Sequence, residues 1–172
     1  MPMKIMRMVV MGVSGCGKSS VGLELAQQLG ARFIDGDDLH PEENKAKMAA
    51  GIPLNDDDRW PWLDLVGQAL AGEVEGGTVV ACSALKKVYR DRILAAAPGT
   101  VFVHLAGSRD LLWERMTSRP NHFMPASLLD SQLATLEQID PSEPGKSYDI
   151  AESIEQIVAQ VITDLPELQH KR

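Results

Sequence analysis

The chain has 172 residues, of which 44% are apolar, and this length fits one domain with a sizeable core. Its 24 Asp and Glu residues outnumber its 17 Lys and Arg residues, so the net charge of −7 argues against a nucleic-acid partner, which requires a basic face. Two cysteines are too few for a disulfide framework, and no apolar run approaches the roughly 20 residues that span a bilayer. We therefore expect a single soluble, cytoplasmic domain over residues 1–172 that binds neither nucleic acid nor membranes.

Short β-rich runs alternate with helical runs along the chain. This order is typical of an α/β fold whose parallel sheet is covered by helices on both faces. The sequence predicts strands over residues 5–11, 32–35, 78–83, 101–105 and 147–150. It predicts helices over residues 18–29, 42–50, 57–71, 85–96, 109–118, 127–138 and 153–165. Two stretches look irregular, residues 51–56 and 120–126.

The first predicted strand runs into a glycine-rich segment, Gly-Val-Ser-Gly-Cys-Gly-Lys-Ser, that matches the pattern G-x-x-x-x-G-K-[ST] at every fixed position. Glycines let successive backbone N–H groups turn inward toward phosphate oxygens, and the helix that follows directs its positive end at the same anion. We expect Lys18 to act on the β- and γ-phosphates of a nucleotide and Ser19 to offer its hydroxyl to Mg²⁺. The predicted nucleotide-binding residues of this phosphate loop (residues 12–20) are Gly12, Val13, Ser14, Gly15, Cys16, Gly17, Lys18, Ser19 and Ser20.

Three classes of phosphate-loop protein compete for this sequence: a GTP-dependent switch, a nucleotide-driven motor or regulator, and a small-molecule kinase. Two segments imitate motifs of the switch, Asp64-Leu-Val-Gly67 and Asn44-Lys45. The first lies inside a predicted helix instead of at the end of a strand. The second lacks the guanine-reading aspartate and does not follow a strand, so we discount the switch.

The position of the carboxylates favours a kinase over a motor. Motors usually place an aspartate at the end of a later apolar strand to hold Mg²⁺, but the strands predicted over 78–83 and 101–105 end without one. Asp35 and Asp37 instead follow the second strand, at the sheet edge where α/β folds bind ligands. A kinase needs one carboxylate near the metal and another that orients or deprotonates the acceptor hydroxyl. The alternative is a solvated acidic turn, which we expect for Asp38.

Basic side chains follow in two further segments. Arg59 comes after an acidic run, and it pairs either with a substrate carboxylate or with a neighbouring aspartate. Lys86 and Arg90 come after the third strand, and their spacing of four residues predicts that they share one helical face. Cations at a helix N-terminus oppose the helix dipole, and an anionic ligand would offset that cost. The alternative for these two residues is a solvated basic helix start.

Arg115 and Arg119 lie four residues apart at the end of another predicted helix. We expect Arg115 to stack on the nucleotide base and Arg119 to contact phosphate. The alternative is that both only complement the negative end of the helix dipole. The loop that follows, 120–126, is predicted to belong to a lid over about residues 116–128 that excludes water and so suppresses hydrolysis.

Four segments together resemble the gluconate kinase family, the small gluconokinases that contain a phosphate loop. The segments are GVSGCGKS, DGDDLHPEENKAKMAAGIPLNDDDRWPWL, CSALKKVYRD and HFMPASLLDSQLATLE, and they cover most of the chain between residues 12 and 137. This family is similar in fold to shikimate and adenylate kinases. The resemblance therefore implies a five-stranded parallel sheet in the order 2-3-1-4-5 with a mobile lid. It also implies a homodimer that transfers the γ-phosphate of ATP to the 6-hydroxyl of D-gluconate.

The resemblance implies roles for individual residues as well. Asp35 becomes the carboxylate on the Mg²⁺ side, and Asp37 becomes the one that faces the acceptor hydroxyl. Lys18 and Asp37 are thus the expected catalytic residues. Together with the basic helix start described above, the resemblance suggests a set of substrate contacts, namely Asp37, Arg59, Lys86, Arg90, His122 and Gln132.

Two alternatives stay open at this point. The first is a related kinase that acts on shikimate or on a nucleoside monophosphate, although the sequence offers no clear pocket for a second base. The second is a regulatory module that binds ATP and transfers no phosphate. Such a module would consume no ATP with any small acceptor.

Overall fold

The computed structural model describes residues 5–13, 15–52, 54–118 and 126–170. Within these ranges, five strands form one parallel sheet in the order β2-β3-β1-β4-β5. The strands are β1 (Arg7–Met11), β2 (Arg32–Asp35), β3 (Thr78–Ala81), β4 (Val101–Ala106) and β5 (Gly145–Asp149). The predicted α/β class and strand order are confirmed.

Helices flank the sheet on both faces. Over the same ranges they are α1 (Lys18–Leu29), α2 (Glu42–Ala49), α3 (Asp56–Ala71), α4 (Lys87–Ala96), α5 (Arg109–Thr117), α6 (Ala126–Thr135) and α7 (Ile154–His170). A short 3₁₀ helix, Gly36–Leu39, follows β2 directly and was not predicted. None of the helices in the described part of the chain combines the length and apolar character that a bilayer-spanning helix requires.

All the predicted elements occur, and the differences at their ends have local causes. α4 begins at Lys87 instead of residue 85, because Ala84 has a left-handed backbone (φ 43°) and Lys86 is extended. α7 continues to His170, beyond the predicted end at 165, because its buried stripe extends through Leu165 and Leu168.

The sheet separates two apolar clusters, because alternate residues of a strand point to opposite faces. On one face, Met8 and Val10 of β1 pack with side chains of α1 and α7. On the other face, Val9 and Met11 pack with side chains of α3 and α4. Each of these four side chains is fully buried, and its burial stabilises the fold by about 1.5–3 kcal/mol. Because β1 is packed on both faces, the position at which the phosphate loop begins is fixed.

The strand register aligns the carboxyl ends of three neighbouring strands. Asp35 of β2 lies beside Ala81 of β3, and Ala81 lies beside Val10 of β1. The segments that leave a parallel sheet from one such row share a crevice at the same edge. These segments are the phosphate loop, an acidic turn (residues 35–38) and a basic turn (residues 82–86).

Candidate active site

The glycines of the phosphate loop are required by close packing and by backbone conformation. Gly15 is left-handed (φ 84°), and a Cβ atom there would lie 2.6 Å from Met116 Cγ and 3.0 Å from the Leu112 carbonyl oxygen. Gly17 is also left-handed (φ 92°) and is the N-cap of α1. Gly17 has no side chain that could cap this helix end, so the first N–H groups of α1 are suited to bind an anion.

Lys18 lies folded over the phosphate loop. Its Nζ donates hydrogen bonds to the carbonyl oxygens of Gly12, at 3.0 Å, and Val13, at 3.1 Å. Ser19 and Ser20 are exposed on the first turn of α1, where a hydroxyl meets solvent, and Cys16 is buried. The loop thus combines a helix N-terminus, a lysine ammonium and an exposed hydroxyl. These are the groups that bind a nucleoside triphosphate and its metal ion in a phosphate loop. Ser14, also predicted here, lies outside the described residues.

The acidic turn places two carboxylates beside the phosphate loop. Asp35 ends β2, and its Oδ1 accepts a hydrogen bond from the Asp37 backbone N–H at 3.0 Å, which starts the 3₁₀ helix. Although the Asp37 side chain reaches solvent, partial burial in the crevice raises its pKa, and the nearby charges of Asp35 and Asp38 act in the same direction. The ammonium of Lys18, in the phosphate loop, acts in the opposite direction and lowers the same pKa. Asp37 is therefore a more basic carboxylate than an ordinary aspartate.

A hydrogen bond and an aromatic stack connect the acidic turn to α3, and the sequence did not predict this connection. Trp62 Nε1 donates to the Gly36 carbonyl oxygen at 2.8 Å, and the Trp62 ring stacks on His40 with centroids 4.2 Å apart. On its other side Gly36 lies against β3, where an added Cβ would be 2.4 Å from the Ala81 carbonyl oxygen. The turn is thus fixed from both sides. A buried indole N–H usually needs a polar partner, and this was the available signal.

Arg59 and Lys86, which we call the cation pair, come from different segments, but both contact Asp56 and the Tyr89 ring. Arg59 Nη1 donates to the Tyr89 hydroxyl at 3.1 Å and lies 3.5 Å from Asp56 Oδ1. Lys86 Nζ lies 3.6 Å from Asp56 Oδ2. Both cationic groups also lie 5.5 Å from the centre of the Tyr89 ring. The structure brings two predicted substrate contacts together, and the contact of Arg59 with a neighbouring aspartate, the alternative considered for it, is also present.

The structure contradicts the prediction that Arg90 contacts substrate. Its side chain is fully buried, and Nε and Nη2 donate to the two carboxylate oxygens of Glu143 at 2.7 and 3.1 Å. Nη1 donates to the carbonyl oxygens of Ala84, at 3.0 Å, and Leu85, at 3.3 Å. The prediction failed because Lys86 precedes the helix, so that Lys86 and Arg90 do not share a helical face. Arg90 instead holds the basic turn that carries Lys86.

The remaining predicted residues lie on α5, on α6 and beyond them. Arg115 is half-buried in the last turn of α5, and its Nη2 donates to the Ile150 carbonyl oxygen at 2.5 Å. Gln132 is half-buried on α6. Arg119 and His122 lie outside the described residues, as does the stretch 119–125 of the predicted lid. Their expected roles stay predictions.

Comparison with known proteins gives consistent similarities. The family model described as "Shikimate kinase" matches residues 14–163. The chain is 43% identical over 173 residues to the probable gluconokinase of Xenopus tropicalis, and the match covers 91% of each sequence. It is 43% identical over 157 residues to the thermoresistant gluconokinase of Escherichia coli strain K12, with 90% of each covered. The crystal structure of a gluconokinase from Sinorhizobium meliloti 1021 is similar with a TM-score of 0.87 and 50% identity, covering 95% of this chain and 93% of that one.

The buried position of Arg90 leads to a prediction about stability. Arg90→Met leaves Glu143 buried without its cation, so the free energy of unfolding should fall by about 3–5 kcal/mol. Arg92→Met is the matched control on the same helix, because Arg92 pairs with Asp64 at the surface, where loss of the pair costs at most about 1 kcal/mol. Urea denaturation of both variants measures the difference. Equal losses would show that the Arg90 pair is no more important to the fold than a surface pair.

Proposed function

We propose that this chain, which belongs to the gluconokinase family, transfers the γ-phosphate of ATP to the 6-hydroxyl of D-gluconate and so produces 6-phospho-D-gluconate. One observation supports the proposal above the others: the phosphate loop, the acidic turn and the basic turn leave adjacent strand ends. A nucleotide, a base and an anchor for a carboxylate would thus lie around one crevice. Gluconate carries its carboxylate and its 6-hydroxyl at opposite ends of the molecule, so an anchored carboxylate orients the reacting hydroxyl.

On the donor side, we propose that the backbone N–H groups of the phosphate loop and the N-terminus of α1 bind the phosphate oxygens of ATP. Lys18 exchanges its contacts with the Gly12 and Val13 carbonyls for contacts with the β- and γ-phosphates, where its charge stabilises the transferring group. Arg115 and Arg119 hold the base and a phosphate. A lid over about 116–128 excludes water from the crevice.

The donor set for a metal fits Mg²⁺ in a shared site. No group of three or more His, Cys, Asp or Glu side chains suitable for a metal occurs among the residues that the structure describes. Mg²⁺ commonly uses one or two protein oxygens and completes its shell with phosphate oxygens and water, and it then neutralises charge on the phosphates. We propose that the exposed Ser19 hydroxyl and the Asp35 carboxylate hold it.

On the acceptor side, we propose that Asp37 accepts a hydrogen bond from the 6-hydroxyl and takes its proton as the phosphate is transferred. Its raised pKa makes the carboxylate a better base, while Lys18 opposes its protonation. The cation pair binds the gluconate carboxylate, and Gln132 and His122 contact hydroxyl groups of the substrate. We also propose that the enzyme acts as a homodimer, as the family resemblance implies, and that it is cytoplasmic, as the composition of the sequence indicates.

The acceptor is tested by a coupled assay of ADP release with ATP, Mg²⁺ and four kinds of acceptor: gluconate, other aldonates, shikimate and AMP. We expect release that depends on gluconate. Shikimate belongs in the panel because the matching family model is described as shikimate kinase, and shikimate is also a hydroxylated carboxylate. Release that depends on another acceptor would overturn the substrate assignment. Tight ATP binding without release would indicate the regulatory alternative.

Asp37→Asn tests the proposed base. Turnover should fall by about 10²–10⁴-fold with little change in ATP affinity, because the amide cannot take the proton. The stability of the folded protein, by contrast, should not fall in this variant. The folded protein raises the pKa of Asp37, so the ionised carboxylate disfavours folding once the pH exceeds that pKa, and the neutral amide removes this cost. The melting temperature at pH 7 should therefore be no lower than that of the wild type.

The control for this variant is Asp38→Asn, which removes the same charge from the neighbouring exposed position. We expect its turnover to stay close to wild type. Steady-state kinetics and thermal denaturation of the two variants separate loss of a base from a general change in the charge of the turn. Full turnover in Asp37→Asn would exclude Asp37 as the base and as the group that positions the hydroxyl.

A further inference from the structure

We propose that Asp56 sets the charge selectivity of the acceptor site, so that the cation pair binds a singly charged carboxylate and disfavours doubly charged anions. The inference rests on the proposed function, because it takes the cation pair as the place where the acceptor's carboxylate binds. It adds a specificity-determining residue, Asp56, which contacts the same two cations and carries the same sign of charge as that carboxylate.

The geometry makes Asp56 the third member of one charge cluster. Its Oδ1 lies 3.5 Å from Arg59 Nη1 and its Oδ2 lies 3.6 Å from Lys86 Nζ, so one carboxylate bridges both cations. Tyr89, which is only 2% exposed, fixes this arrangement, since its hydroxyl donates to Asp56 Oδ1 and accepts from Arg59. The cluster has two positive charges and one negative charge, and its net charge is thus a single positive one.

The start of α3 does not need the Asp56 carboxylate for capping. The N-cap is Asn55, whose side chain accepts from the Asp58 backbone N–H at 2.8 Å. The Asp58 carboxylate accepts from the Asn55 backbone N–H at 3.0 Å, which completes the capping box. Lys47 binds the Asp58 carboxylate as well, at 2.8 Å. A helix-capping role therefore accounts for Asn55 and Asp58 and leaves the position of Asp56 between the two cations unexplained.

The position of Asp56 affects how strongly monoanions and dianions bind to the cation pair. The attraction between an anion and the cluster rises in proportion to the anion's charge, whereas the cost of removing its water rises with the square of that charge. A cluster with a net charge of +1 suits a monoanion such as gluconate. For a dianion, the attraction to this cluster offsets a smaller share of the desolvation free energy. Without Asp56, each unit of anion charge gains the same additional attraction, so a dianion gains twice as much as a monoanion.

The test uses sulfate, a dianion at every pH of interest, as the probe. Its inhibition constant against gluconate is measured at saturating ATP and Mg²⁺, which separates the acceptor site from the anion site of the phosphate loop. In Asp56→Asn, sulfate should inhibit about tenfold or more strongly, while the KM for gluconate should fall by about fivefold or less. Asp56→Glu keeps the charge and should restore the wild-type ratio of the two constants.

Asp57→Asn is the matched control, because it removes one charge from the adjacent exposed position of the same helical turn. Its ratio of sulfate inhibition to gluconate KM should equal that of the wild type. Asp56→Ser serves as a second neutral variant if the asparagine variant does not fold. An unchanged ratio in the neutral Asp56 variants would overturn the proposal. So would a rise in gluconate KM with unchanged sulfate inhibition, which would assign Asp56 to a substrate hydroxyl.

A binding measurement separates failure of this inference from failure of the proposed function. Calorimetric titration of sulfate into protein saturated with ADP and Mg²⁺ requires no turnover and no gluconate. If the wild type releases no ADP with gluconate but Asp56→Asn still binds sulfate more tightly than Asp57→Asn, the charge selectivity holds and the acceptor assignment is wrong. If gluconate is phosphorylated and the sulfate affinities are equal, the selectivity proposal alone fails.

Discussion

Everything proposed for this protein depends on the alignment of three parallel strands at their carboxyl ends. Backbone hydrogen bonds place Asp35, Ala81 and Val10 in one row, with β3 between β2 and β1. The acidic turn, the basic turn and the phosphate loop continue from that row and therefore lie side by side. Residues distant in sequence thus reach one crevice through the geometry of the sheet, and side-chain contacts then adjust the charges around it.

Behind each turn, the fold provides a support that carries no net charge. Trp62 holds the acidic turn through the Gly36 carbonyl. The buried pair of Arg90 and Glu143 holds the basic turn, where Arg90 binds the carbonyl of Ala84, a residue in the left-handed region. These supports keep like and unlike charges close together in the crevice, where burial first, and then the nearby charges of Asp35 and Asp38, raise the pKa of Asp37. Holding these charges close together raises the free energy of the folded protein. The same charges are available for binding and positioning the groups that take part in phosphate transfer.

The sequence predicted most of the fold, because alternating hydrophobic periods and the glycine-lysine-serine motif are local signals. It also predicted that Arg59 and Lys86 belong to one site, but only through the family resemblance. The sequence-based prediction failed at the start of α4. Ala84 has a left-handed backbone, the helix begins at Lys87 instead of residue 85, and the Arg90 side chain is buried in the core. Asp56 and Tyr89 were missed because their partners come from other segments, and the spacing of residues carries no information about such contacts.

The most direct test of the central claim is the gluconate affinity of protein saturated with ADP and Mg²⁺, measured by calorimetry for Lys86→Met and Lys87→Met. The two lysines are adjacent, but Lys86 ends the basic turn beside Asp56, whereas Lys87 pairs with Asp91 along α4. If the carboxyl edge of β3 delivers the cation that binds the acceptor, Lys86→Met should weaken gluconate binding by about tenfold or more. Lys87→Met should bind gluconate as the wild type does. Equal affinities in the two variants would contradict the account, because the acceptor's carboxylate would then bind elsewhere.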